Sequence, residues 1–305
     1  MQTREELIQT LEQADTPSIR LFTLLKLKEL SPDDPLVLQQ QVLLAEQEPV
    51  CSILKEQHPE GYWVWERSHY TPKYKATHWS MQLLTELGLS GDHPAMQQGA
   101  AYMRKRMQQS LHEQIENDER GLICFWGNFA RYQIHCGALE DPILQETICL
   151  QVREVEVDAR CDWNYGLPCA WGLIRAMWGL AAIPVEKRSA QVEHAIRHGL
   201  EFLLERYSLL KADYPYQEQI HRCWFSLNFP LFYSTDILFT LRVLDELDAL
   251  HHPSALQALN WLRGKRSLSG MWRGASPARK RTWSFTAGQD TVDTWVTLHA
   301  LSVLH

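Results

Sequence analysis

The sequence predicts an all-α protein built from stacked helical repeats, and three observations carry that prediction. Apolar residues recur at helical spacing along most of the chain, and no stretch sustains the two-residue alternation of a half-buried strand. Two kinds of turn return at intervals. One is a Gly/Trp turn (Gly61-Tyr-Trp63, Gly121 to Trp126, Cys161-Asp-Trp163, Gly270-Met-Trp272), and the other is a turn ending in proline (31–35, 89–94, 137–142, 181–188 and 248–253). Finally, helices apolar nearly all round, such as 169–181 and 237–250, alternate with amphipathic ones at 95–109, 188–206 and 253–263. A helix apolar all round must be enclosed, and an amphipathic one can cover it. Repeats that each bury a face on the next form a solenoid or a closed ring.

Taken in order, residues 1–50 read as two or three helices leading into the ring, and 51–305 as its repeats, with no composition break inside. Inner helices are expected to start near 77, 124, 169, 233 and 293. Asp or Ser before the prolines marks the start of outer helices. Proline lacks an N–H that the first turn leaves unbonded in any case, and the preceding side chain supplies an acceptor.

Composition narrows the class further. Of 305 residues, 45% are apolar and 22% charged, which excludes disordered and collagen-like chains. A net charge of −7 argues against nucleic acid as partner. No apolar run is long enough to span a bilayer, and the acidic start MQTREELIQTLEQ has no apolar signal region. Seven scattered cysteines, an odd number, do not form a disulfide framework and point to a reducing, cytoplasmic setting.

The string Lys55-Glu-Gln57-His-Pro-Glu-Gly61-Tyr-Trp63 resembles the Gln…Gly-x-Trp repeat of squalene–hopene cyclases and protein prenyltransferase β-subunits, and Ala76–Gly88 resembles the inner helix that follows it. From about residue 18 to the end, the strings TPKYKATHW, FWGN, PCAWG, FPLFYSTD and TWVTLHALSVL resemble short bacterial proteins carrying prenyltransferase/squalene-cyclase repeats. The resemblance implies a single α/α-toroid, with an inner ring of parallel helices, an outer ring and a central cavity. It also implies an isoprenoid or other apolar small molecule as ligand. Peripheral membrane contact and a homodimer are compatible with it.

Candidate residues follow from that geometry, because parallel inner helices bring their starts to one end. Cyclases of this type protonate their substrate with the middle Asp of Asp-x-Asp-Asp-Thr. The nearest match is Asp290-Thr-Val-Asp293-Thr294, where Val292 stands at the donor position. Asp293, Asp290 and Asp236, with Tyr233, are therefore the acid candidates, against the alternative that Asp290 and Asp293 cap the last helix. Prenyltransferases hold zinc through Asp, Cys and His. Cys124, Cys161, Cys169 and His78 are the corresponding candidates, against the alternative that these thiols are small core hydrophobes. Magnesium enters only if the substrate is a diphosphate. Trp79, Phe125, Trp126, Trp171, Trp178, Phe232 and Trp295 are candidate lining residues, since aromatic faces suit an isoprenoid and stabilise cations. The same rings also serve as packing between repeats. Between Ala249 and Gln289 there are seven Lys or Arg and no acid, which reads as an anion site or as a solvated loop.

Overall fold

The computed structural model describes residues 2–119, 122–210, 221–284 and 288–305. The turn glycine Gly121 lies outside them. Helices dominate: α1 (Arg4–Glu12), α2 (Pro17–Phe22), α3 (Pro35–Glu46), α4 (Val50–Lys55), α5 (Thr77–Glu86), α6 (Pro94–Glu116), α7 (Ile123–His135), α8 (Pro142–Val155), α9 (Ala170–Ala181), α10 (Ala190–Glu201), α11 (Ile237–Glu246), α12 (Pro253–Arg263) and α13 (Gln289–Val303). Among the described residues, the one sheet is a two-stranded antiparallel pair, β1 (Arg160–Cys161) with β2 (Leu167–Pro168). Also among them, no helix is long and apolar enough to cross a membrane.

The proline turns start helices as expected at α3, α6, α8 and α12. Asp34 and Asp141 each accept a hydrogen bond at 2.9 Å from the backbone N–H two residues on, just past the proline. The turn at 181–188 differs. Pro184 opens a single 3-10 turn, and the helix starts only after Ser189, which accepts from Val192 N at 3.2 Å. The start expected near 233 falls at Ile237, because Asp236 is the residue that caps the turn.

The chain forms two compact units, one of Met1–Gly99, Ser226–Phe232 and Leu259–His305, the other of Ala100–Phe225 and Tyr233–Ala258. The first contains two copies of one repeat. After α4, Gln57 bridges to Trp63 across a tight turn, and after α12, Arg266 bridges to Trp272 in the same way. Both turns are closed by glycine at positive φ, +93° at Gly61 and +100° at Gly270, a conformation that other residues adopt only with strain. A Cβ on Gly61 would also meet the Gln98 carbonyl at 2.5 Å.

Each copy anchors the start of another helix. Gln57 Nε2 donates to the Gly61 carbonyl and to the Ala95 carbonyl in the first turn of α6. Arg266 substitutes for that glutamine, donating at 2.6 Å to the Gly270 carbonyl and at 2.6 Å to the carbonyl of Gln2, just before α1. Arg4 then donates at 2.7 Å to the Leu304 carbonyl. The start of the chain is thus fastened to its last repeat within this unit.

In the second unit α7 and α9 pack along each other through small residues. A Cβ on Gly127 would overlap the Arg175 carbonyl, and one on Gly179 would meet Gly127 O at 2.8 Å. α11, α8 and α10 also pack on α9, and α8 packs on α7 as well. Arg131 fixes α7 to α11 through bonds of 2.5 and 3.1 Å to the Glu246 carboxylate, with its guanidinium 4.8 Å from the Trp178 ring centre.

Candidate functional site

Within the second unit, the first turns of α7 and α9, the strand pair before α9 and the segment entering α11 come together. The strand pair sets the thiols. Cys161 pairs with Leu167, and Cys169 N donates to the Ala159 carbonyl at 3.2 Å. Cys161 and Cys169 are therefore diagonal neighbours on one face of the ladder. Their side chains pack together with Trp171 and Tyr207 and are hydrogen-bonded. Cys169 also caps α9, its Sγ accepting from Gly172 N at 3.3 Å.

Backbone N–H groups of Leu122, Trp163 and Asn164 surround the Cys161 sulfur. The Cys169 thiol and then these N–H groups hold its pKa down to about 6, against burial. Cys124, in the first turn of α7, is pushed up to about 11, first by burial and then by the nearby Cys161. Similar groups are thus shifted in opposite directions: the Cys169 thiol and backbone N–H groups outweigh burial at Cys161, whereas burial and the neighbouring Cys161 outweigh the backbone hydrogen bonds at Cys124.

Trp171, half-buried on α9, meets His221 edge-on at 5.0 Å between ring centres and Tyr233 at 6.1 Å. Arg175, one turn further along α9, is fully buried. It donates to Ser234 O at 2.8 Å and to Asn128 Oδ1 at 3.3 Å, and lies 3.9 Å over the Phe239 ring. This arginine binds the entry of α11 to α7 and α9. Cys223 is pushed up to about 12, mainly by burial and then by the Asp236 carboxylate.

Asp236 is wholly buried, and its Oδ1 accepts from Phe239 N at 2.7 Å as the cap of α11. Phe125 and Trp126 sit at the start of α7, ring centres 5.1 Å apart, with the Trp126 indole donating to Gln114 Oε1 at 2.6 Å. Trp178 packs edge-on against Phe239 at 5.2 Å.

The remaining candidates belong to the first unit. His78 and Trp79 open α5, with ring centres 4.6 Å apart. Trp79 packs on Phe232 at 5.7 Å and donates to the Tyr70 carbonyl at 2.8 Å. Trp295 stacks on Phe229 at 4.1 Å. Trp79, Phe232 and Trp295 are buried in ring-on-ring contacts of the core.

Asp290 is exposed in the first turn of α13, whose cap is Gly288 rather than either aspartate. Asp293 Oδ1 accepts from Gly274 N at 2.8 Å and from Gln289 Nε2 at 2.7 Å, so it ties the Trp272 turn to α13.

Three expectations change. Trp163 is not a turn tryptophan packed between repeats: it is 77% exposed at the tip of the strand pair. Trp126 lies inside α7 rather than in a turn. The zinc set does not fit, since among the described residues no three His, Cys, Asp or Glu side chains group to hold a metal ion.

The basic stretch is largely used locally. Arg266 bonds backbone carbonyls, Arg263 bonds Asn260, and Lys265 and Arg281 lie over Trp261 and Tyr74. Arg175 was missed by sequence reading. Its signal is a lone charge in the otherwise apolar run CAWGLIRAMWGLA. Comparison with protein-family models, with curated proteins and with solved structures finds no significant match for the chain.

Proposed function

We propose that the protein is a single α/α-toroid of the terpenoid-cyclase and prenyltransferase type that binds an isoprenoid or similar apolar chain at the starts of α7, α9 and α11. The toroid reading draws support from the paired Trp63 and Trp272 repeats and from the fastening of Gln2 and Arg4 onto the last repeat. The single observation that carries the ligand reading is the Trp171–Tyr233 ring pair. Both rings are only partly buried, they lie 6.1 Å apart, and they stand at the entries of consecutive apolar helices. Such rings offer flat apolar faces to a chain, whereas the fully buried Trp79 and Trp295 are consumed by packing.

For acid-initiated cyclisation Asp236 is the favoured donor candidate, being the wholly buried carboxyl among the acid candidates. A non-catalytic apolar-ligand carrier is the second reading. It is favoured by the use of Asp236 and Asp293 as acceptors for backbone N–H groups, which commits both carboxyls to structural hydrogen bonds.

Tryptophan-fluorescence titration and native mass spectrometry with farnesyl diphosphate and with squalene test the proposal. Saturable binding is expected, weakened on the order of tenfold (about 1.4 kcal/mol) by Trp171→Ala or Tyr233→Ala. Absence of saturable binding to the intact protein would sink it. Product analysis with Asp236→Asn separates the readings: a cyclised product lost in this variant marks the enzyme, and binding without turnover in the intact protein marks the carrier.

A further inference from the structure

The thiol cluster before α9 has a chemistry that isoprenoid binding does not use. Cys161 and Cys169 are on the same face of a two-stranded ladder, with their side chains in contact and hydrogen-bonded. Three backbone N–H groups converge on the Cys161 sulfur, the surroundings that stabilise a thiolate. The partner sulfur, Cys169, is buried and fixed by its cap bond to Gly172 N.

A disulfide needs the sulfurs at about 2.05 Å, so they must close from hydrogen-bond contact to bonding distance. The segment that would move is the tip of the strand pair. Its side chains Trp163 and Tyr165 are 77% and 73% exposed, so little packing is lost when it shifts.

We infer that Cys161 and Cys169 form a redox-active dithiol that a hydroperoxide converts to an intramolecular disulfide, with Cys161 as the attacking thiolate and Cys169 as the resolving thiol.

In the first step the Cys161 sulfur attacks the terminal oxygen of the hydroperoxide. The S–O bond forms, the O–O bond breaks, and the alkoxide leaves and takes a proton from solvent. In the second step the Cys169 sulfur attacks the Cys161 sulfenic acid. The S–S bond forms, the S–O bond breaks, and the departing hydroxide leaves as water with the Cys169 proton. The sum is two thiols and one hydroperoxide giving one disulfide, one alcohol and one water, with the thiols oxidised and the peroxide reduced.

The test is peptide mapping of the full chain after treatment with hydrogen peroxide and quenching with iodoacetamide. Trypsin cleaves after Arg160 and Arg175, so both cysteines fall in one peptide. The expected result is that this peptide loses two hydrogens and takes up no iodoacetamide, and recovers two alkylation sites after reduction. It should form on the order of ten times faster than the exposed Cys149 is oxidised.

Cys169→Ser should accumulate a sulfenic acid at residue 161 that dimedone captures, and Cys161→Ser should leave Cys169 reduced. The inference is overturned if both cysteines of the intact protein remain alkylatable after Cys149 has been oxidised, or if Cys161 is found bonded to Cys124 instead. Mapping the intact protein keeps the test valid even if a variant fails to fold.

Discussion

The indole of Trp63 donates to the Ile53 carbonyl at 2.8 Å, and the indole of Trp272 donates to the Leu262 carbonyl at 2.7 Å, each reaching ten residues back to the end of the helix before its turn. Their backbone N–H groups also match, donating to Thr77 Oγ1 and Thr297 Oγ1 at 3.0 Å. Each tryptophan therefore closes one helix, crosses the turn and opens contact with the next. Trp224 repeats the first half of this pattern in the other unit, donating to the Leu209 carbonyl at 2.8 Å. The shared bonds explain why tryptophan rather than phenylalanine stands at these turns: the ring is buried, and its N–H answers a carbonyl at a helix end.

Loss of these bonds should be measurable. Trp63→Phe and Trp272→Phe keep most of the apolar ring and remove the indole donor, leaving the Ile53 and Leu262 carbonyls with only the backbone N–H groups of Glu56 and Lys265. Each should lower unfolding free energy by about 0.5–1.5 kcal/mol, the net contribution of one hydrogen bond. Urea denaturation followed by circular dichroism measures it. Variants as stable as the parent would show that the indole N–H is dispensable.

The crossing of α7 and α9 predicts a steric effect. Gly127→Ala would drive a methyl group into the Arg175 backbone carbonyl, and Gly179→Ala would approach the Gly127 carbonyl. The Gln151 side chain, 2.7 Å from the Gly179 position, can move aside, but both carbonyls are backbone, so the helices must separate. Destabilisation of about 1–3 kcal/mol is expected for each, as for other overpacked cores. Gly137→Ala is the control. Nothing lies near its Cβ position, but its φ is +77°, so only a backbone penalty of about 1 kcal/mol applies.

Asp236 and Asp293 should respond to substitution as acceptors of hydrogen bonds. Asp236→Asn retains an oxygen for the Phe239 N–H, whereas Asp236→Ala removes the cap. The alanine variant should be less stable than the asparagine variant by about 1 kcal/mol. Thermal unfolding of the two proteins decides it, and equal stability would mean that the cap bond contributes nothing.

The thiols should titrate apart. Cys161, held down to about 6 mainly by the Cys169 thiol and also by surrounding backbone N–H groups, should reach its full alkylation rate by neutral pH. Below that pKa the thiolate is protonated, so the rate should fall about tenfold per pH unit. Cys124 and Cys223, raised to about 11 and about 12 by burial and neighbouring negative charge, should stay unreactive at neutral pH. Site-resolved iodoacetamide labelling between pH 5 and 9 measures this. A Cys161 profile centred near pH 9 would contradict it.

The sequence alone determined the helical class and most helix starts. Periodicity, proline and the preceding Asp or Ser act within a few residues, so their meaning survives without the fold. It also marked Gln57, Gly61 and Trp63 as a unit, because a turn at positive φ and a ring folded back on its own helix are local events. The second copy was legible only through Gly270 and Trp272, since Arg266 replaces the glutamine while making equivalent carbonyl contacts.

What depended on tertiary structure was the fate of each chemical group. Asp236 and Asp293 read as acids in sequence, yet Asp236 accepts from Phe239 N as a local helix cap, and Asp293 accepts from Gly274 N, a donor that only the fold delivers. Trp163 and Trp272 follow similar sequence patterns, but one lies in solvent and the other in the core. Cys124 and Cys161 have the same side chain, and their opposite pKa shifts arise because Cys161 meets the Cys169 thiol as well as backbone N–H groups, whereas at Cys124 burial dominates. Sequence fixes a residue's intrinsic chemistry and its local backbone preferences. Burial, donors and neighbouring charge come from distant segments, and they decide which of those chemistries the residue can express.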